Sequence, residues 1–163
     1  MRRAREVGLD GICFTDLNTL AGLEDFRRIA AWAPVAVFAG VELVTDRGHY
    51  LAFFPEPERV PPPVQMFGDN SERPWPVREV LARIGELGGA AVAAHPYDRD
   101  TDRPAGDVIY TLSGLHAVEG YNARRPPSVN DLAMEAADHM RLPCVAGSDA
   151  RRSLDELGRA ATL

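Results

Sequence analysis

Apolar and polar positions fall in blocks along this chain, and the period of the blocks changes. Residues 2–8 carry the end of a helical pattern that stops at Gly8, and GICFT at 11–15 is an apolar run of strand length. Asn18 and Thr19 offer an N-cap for a helix over roughly 20–32. An apolar run at 35–41 and a second from His49 flank a polar turn through Thr45, Asp46, Arg47 and Gly48, which predicts a β-hairpin. Helical spacing returns at 77–87, where Val77, Val80, Leu81, Ile84 and Leu87 form one apolar stripe that Gly88 and Gly89 end. AAVAA (90–94), HAVEGYN (116–122) and PCVAG (143–147) then predict strands, with a short helix at 105–113 and a longer one at 128–140 between them. Strands that alternate with helices, most of them continuously apolar, predict an α/β fold with a largely parallel, buried sheet. Pro55 to Pro76 interrupts the alternation, and its seven prolines exclude regular helix or central strand and predict a long surface loop.

Composition sets outer bounds. A chain of 163 residues, 45% hydrophobic and 26% charged, describes one soluble domain over 1–163, long enough to bury about two thirds of its unfolded surface. No apolar run approaches a membrane span, and the N-terminus lacks the apolar segment of a signal peptide, so the expected location is the cytoplasm, with no membrane partner. Cys13 and Cys144 lie in apolar strand-like runs and are expected to be buried, reduced thiols. A net charge of −6 excludes general affinity for nucleic acid backbones. Every basic residue is an arginine, which most simply reflects genomic base composition, although converging arginines suit bidentate capture of phosphate.

The placement of polar residues carries the chemistry. Asp16, Glu42, His95, Glu119 with Asn122, and Asp149 each fall at the C-terminal end of a different predicted strand, which is where parallel barrels and open α/β sheets keep their sites. Glu42 and His49 fall near opposite positions of the hairpin, close enough for both to touch one ion. A carboxylate and an imidazole aimed at one point are half a metal site. Each residue alone reads equally as a turn cap or a hydrogen-bonded edge residue. Their joint placement with His49 favours a metal or phosphate site. His116 and His139 read as solvent-facing, Trp32 as core, and Phe67 and Trp75 as anchors of the proline-rich loop rather than a lid over bound substrate.

The motifs GLDGICFTDLNT, AGVEL with GHYLAFF, AVAAHPY, AVEGYN and AGSDA, in this order, resemble the PHP (polymerase and histidinol phosphatase) family of metal-dependent phosphoesterases. The resemblance implies a distorted β/α barrel of seven strands, with two or three metal ions at its C-terminal face that activate water against a phosphate ester. This chain departs from the family at three places. It begins after the strand that carries the family's His-x-His pair, so the barrel is expected to be incomplete at the N-terminus. Leu17, in Thr15-Asp16-Leu17-Asn18, and Arg151, in Asp149-Ala150-Arg151, stand where the family has histidines.

Carried over residue by residue, Glu42, His49 and His95 correspond to the ligands of one metal position, and Asp149 is what remains of the others. The resemblance therefore implies a reduced centre with one divalent transition metal ion: zinc, manganese or iron. It implies Asp149, Arg151 and Asp16 as catalytic residues, and Arg151, Arg124, Asn122 and Glu119 as the residues that hold substrate. Arg151 reads either as a solvated side chain or as a guanidinium standing in for a missing cation. The expected function is hydrolysis of a phosphate mono- or diester in a small phosphorylated substrate or nucleotide. The alternative is a degenerate barrel that serves as a binding or regulatory module. A barrel lacking one strand exposes backbone edges that invite a second copy of the chain or a strand supplied from upstream.

Overall fold

The hairpin is the centre of the sheet. In the computed structural model, which describes residues 1–162, strand β2 (Ala36–Thr45) turns through Asp46 and Arg47 into β3 (Gly48–Phe53). Gly48 takes φ +92°, and a Cβ there would lie 2.8 Å from that of Ala105, so both the backbone angle and the space require glycine. Thr45 Oγ1 closes the turn, donating to the Gly48 carbonyl at 2.7 Å and accepting from the Arg47 amide at 3.1 Å.

Further strands add outward from this pair. β1 (Gly11–Leu17) lies parallel to β2, and β4 (Ala90–Ala94) lies antiparallel to β3. β5 (Ala117–Asn122) and β6 (Cys144–Gly147) follow in parallel. The result is one six-stranded sheet in the order β1-β2-β3-β4-β5-β6. Residues of β1 and β6, its two edges, line one cavity together, so the sheet curls into an open half-barrel. This is an incomplete β/α barrel, and the hairpin makes its sheet mixed, with two antiparallel pairings among the parallel ones.

Strand alternation divides the residues between two faces. Val41, Leu43, Tyr50, Ala52, Ala91 and Ala93 point to the convex face and bury against helix α4 (Val77–Glu86), whose stripe of Val77, Val80, Leu81 and Ile84 matches its sequence pattern. Helix α5 (Pro127–Met140) covers the other end, packing Ala133 and Ala137 on Val118. A short helix, α1 (Arg2–Glu6), precedes β1, and helix α2 (Leu23–Ala30) lies against it, with Phe26 stacked on Phe14 at 4.6 Å. No helix among the described residues is long and apolar enough to cross a membrane.

Four expectations change. β1 and β6 are edge strands of an open sheet rather than buried ones, and Cys13 and Cys144 are consequently exposed. Trp32 is 74% exposed, because its helix ends at Ala30 and the indole lies beyond the packed face. That helix starts at Leu23 without a side-chain cap, and Asn18 is used elsewhere. Within the proline-rich segment, Pro63 begins a short helix, α3 (Pro63–Phe67), since proline's preset φ suits a first helical position. Phe67 and Trp75 do anchor that segment: their rings meet at 5.2 Å, and Trp75 Nε1 donates to the Gly68 carbonyl at 2.9 Å.

Urea denaturation checks this packing. Leu43→Ala should cost about 2–5 kcal/mol, the usual cost of emptying a closed core position. Trp32→Ala should stay within about 0.5 kcal/mol, and a cost near that of Leu43→Ala would contradict the placement of Trp32.

Candidate metal centre

The rim at the C-terminal ends of the parallel strands gathers most of the chain's buried polar side chains. Pairing register explains how. Glu42 opposes Leu51 and Val44 opposes His49, so Glu42 and His49 are diagonal neighbours on the concave face. His49 in turn pairs with Ala94, which brings His95, the next residue, to the same level. His49 Nδ1 lies 2.7 Å from Glu42 Oε1, and His95 Nε2 lies 3.5 Å from that oxygen. The two imidazoles meet edge to face at 5.1 Å. All three residues offer ligand atoms within 4.8 Å of one another.

The backbone beneath this triad is held from several sides. His95 takes φ +29°, a conformation that costs a side-chain-bearing residue free energy. Its amide is fixed by Glu119 Oε2 at 2.9 Å, and Glu119 also accepts from Asn122 Nδ2 at 3.1 Å. Asn122 is locked to Asn130 of α5 by a reciprocal pair of bonds, each 3.1 Å. On the other side Asn18 grips β2: its amide donates to the Glu42 carbonyl at 2.7 Å and its Oδ1 accepts from the Val44 amide at 2.8 Å.

Charges complete the picture. Arg151 places Nε 2.5 Å from Asp149 Oδ1 and Nη2 3.3 Å from Glu42 Oε2, so it bridges the triad to the end of β6. Arg124 lies 3.4 Å from Glu156 and 3.8 Å from Asp149. Burial pushes the Glu42 carboxyl up, but the His49 hydrogen bond, the nearby His95 imidazole and the Arg151 charge outweigh it and hold the group far below the usual carboxylate range. Glu119 goes the other way: burial raises it, with Asp149 adding, and the bonds from Asn122 and His95 do not compensate.

Two imidazoles and one carboxylate are a donor set for zinc, manganese or ferrous iron. The structure agrees with that use, because His95 Nε2 is buried with no hydrogen-bond partner among the described residues and faces Glu42. Glu119, Asn122, Asp149 and Arg151 converge on the triad as the sequence predicts. Asp16 does not. It pairs with Val41, whose side chain enters the convex core, and its Oδ2 lies against Gly22, so alternation turns it away from Glu42. Leu17, paired with Glu42 itself, occupies the position nearest the triad on β1 and offers no ligand atom. The sequence reading missed Asn18 as a clamp on β2, Asn130, and Asp98, which is buried behind His95. Only Asp98 left a trace, its spacing of three from His95 in HPYD.

A family model described as PHP-associated matches residues 127–163. An uncharacterized protein of Methanocaldococcus jannaschii is 29% identical over 135 residues, covering 82% of this chain and 71% of that protein. The fold is similar to that of a Bifidobacterium adolescentis protein assigned by inference to the metal-dependent phosphoesterases, with TM-score 0.74 and 20% identity over 99% of this chain and 85% of that one. It is similar to an amidohydrolase from Chromobacterium violaceum solved with bound sulfate and no metal, with TM-score 0.71 and 16% identity over 96% and 82% of the two chains. A two-domain Bacteroides vulgatus protein containing a PHP-like metal-dependent phosphoesterase, also assigned by inference, matches at TM-score 0.57 and 16% identity over 88% and 45%. These findings bear out the resemblance read from the motifs.

The raised Glu119 carboxyl has a measurable consequence. As pH climbs above the ordinary carboxylate range, the unfolded chain releases this proton before the folded one does, so the wild type loses stability. Thermal melts of metal-free protein between about pH 4 and 7 should show Glu119→Gln gaining on the wild type with rising pH, by at most about 1.4 kcal/mol per pH unit. Parallel curves would contradict the burial of this charge.

Proposed function

We propose that this chain, a divergent PHP-family member with an open barrel, is a metal-dependent phosphoesterase with a reduced metal centre. Convergence of Glu42, His49 and His95 within 4.8 Å carries the reading. These three residues would hold one divalent zinc, manganese or iron ion, and such an ion supplies water of near-neutral pKa and polarises a phosphoryl oxygen. The remaining work falls to the chain's own side chains. Arg151, half-exposed beside a cavity of about 670 Å³, presents a planar donor fork suited to two phosphate oxygens. It also supplies, as a fixed cation between Glu42 and Asp149, part of the charge stabilisation that a second metal gives in a two-metal clamp. Asp149 lines the same cavity and would take the proton of the attacking water, while Arg124 adds positive charge at the rim. The substrate is a small phosphate mono- or diester, a nucleotide included. Leaving groups that need little stabilisation should react fastest, because Arg151 cannot ligate a departing oxygen as a metal does.

One observation favours the non-catalytic reading. The ion pairs of Arg151 with Glu42 and Asp149 already satisfy both carboxylates, as they would in a barrel that only binds a ligand.

Elemental analysis of purified protein should find close to one transition-metal ion per chain, since Glu42, His49 and His95 are the one such group among the described residues. Two or three ions per chain would refute the reduced centre, and retention of metal by both Glu42→Ala and His95→Ala would refute the ligand assignment. With manganese or zinc added, an activated phosphate ester should be turned over by the wild type, and Arg151→Ala should lower the rate roughly 10- to 1000-fold. Inactivity with every metal, or activity untouched by Glu42→Ala, would establish the binding-module reading instead.

A further inference from the structure

Behind His95, on the side away from Glu42, lies a carboxylate that neither the strand-end motifs nor the metal triad includes. Asp98 is 2% exposed. Its amide donates to the His95 carbonyl at 2.9 Å, so the turn after β4 folds it back onto the imidazole. Asp98 Oδ2 lies 3.7 Å from His95 Nδ1, while His95 Nε2 lies 3.5 Å from Glu42 Oε1. One ring thus sets its two nitrogens against two carboxylates. Asp98 Oδ1 is spent inside its own loop, accepting from the Asp100 amide at 3.0 Å. Oδ2, like His95 Nε2, is buried without a hydrogen bond among the described residues; it forms an ion pair with Arg125 Nη2 at 2.9 Å, and that same nitrogen lies 3.7 Å from Asp149 Oδ2.

These contacts close a ring. Glu42, His95, Asp98, Arg125, Asp149 and Arg151 follow one another back to Glu42, with every link between 2.5 and 3.7 Å. Stability alone gives little reason for Asp98 and Arg125 to belong to it, because a buried ion pair is commonly no better than an apolar pair of the same volume. Their aim gives a better reason. A metal-binding histidine needs one nitrogen unprotonated toward the ion and the other hydrogen-bonded, most often to a carboxylate, which fixes tautomer and ring orientation.

We propose that Asp98 and Arg125 are positioning residues of the metal centre: Asp98 receives the Nδ1 proton of His95 and leaves Nε2 free to ligate, and Arg125 holds Asp98 in place. The proposal rests on Glu42, His49 and His95 being the metal ligands. It accounts for two facts at once, the partnerless buried Nε2 and the buried aspartate behind it.

Zinc affinity, measured on the full chain by competition with a chromophoric chelator, tests it beside thermal melting of the metal-free protein. Asp98→Asn should weaken zinc binding about 10- to 100-fold in protein that still melts cooperatively. Adding Arg125→Met to Asp98→Asn should cost no further affinity, since Arg125 acts through Asp98, and an additive loss would overturn that serial arrangement. Unchanged affinity in folded Asp98→Asn would overturn the role of Asp98. If Asp98→Asn fails to fold, the His95 tautomer in the metal-free wild type decides, read from long-range proton–nitrogen correlations: Nδ1–H supports the proposal and Nε2–H refutes it. Failure of the wild type itself to bind zinc, manganese or iron would instead bring down the ligand assignment, and this proposal with it.

Discussion

Glu42 is a carboxylate buried in the wall of a half-barrel, and much of the surrounding structure follows from the need to neutralise it. A charge taken out of water costs several kcal/mol unless it is paired and hydrogen-bonded. Here two imidazoles and a guanidinium converge on the two oxygens, and together they more than offset the burial. That balance ties the hairpin to β4 through His95 and to the end of β6 through Arg151, which are distant in sequence. Because the carboxyl is held below its ordinary range, its contribution is fully present above that range and is lost progressively as pH falls from it into strong acid. A metal ion in the triad would meet the same demand, so the charge balance of the fold and the chemistry of the site share one residue.

The open barrel has a different physical signature. On the convex face, helix and sheet close over Leu43, Tyr50 and Val80, all 0% exposed. At the gap the strands are exposed, and Phe38 and Leu17 stand 56% and 50% accessible. The edge of β6 is partly blunted by Thr162, whose hydroxyl exchanges bonds of 3.0 and 3.2 Å with the backbone of Ala146. β1 has no such cover among the described residues. Unpaired edges of this kind are the usual template for a further strand. The same opening leaves Arg151 and the cavity wall within reach of solvent.

Leu17 and Arg151, which stand where the resembled motifs have histidines, bring an apolar group and a cation to the rim, and the cation lies on two carboxylates. The ring that runs from Glu42 through Asp98 and Arg125 to Asp149 places negative and positive groups in near alternation around the triad. Its members come from four separate segments, and only their joint arrangement makes each burial tolerable.

What the chain determined by itself is local. Apolar period placed the strands and helices, because a strand must alternate and a helix must present a stripe whatever its neighbours. Turn residues such as Gly48 placed the hairpin, and one apolar block after another delivered Glu42, His95, Glu119, Asn122 and Asp149 to strand ends, so most of the candidate site was legible. Tertiary structure alone decided which strands stand at the edge, and so the exposure of Cys13 and Cys144, since an edge strand and a central strand carry the same apolar pattern. It decided that Asp16 faces away from the triad while its neighbour Leu17 faces toward it, because a shift of one residue reverses the side of a strand and only the pairing with Val41 sets it. It also decided the partners of Asp98, Arg125 and Arg151, which become a buried or half-buried ring only when residues up to 109 positions apart are folded together.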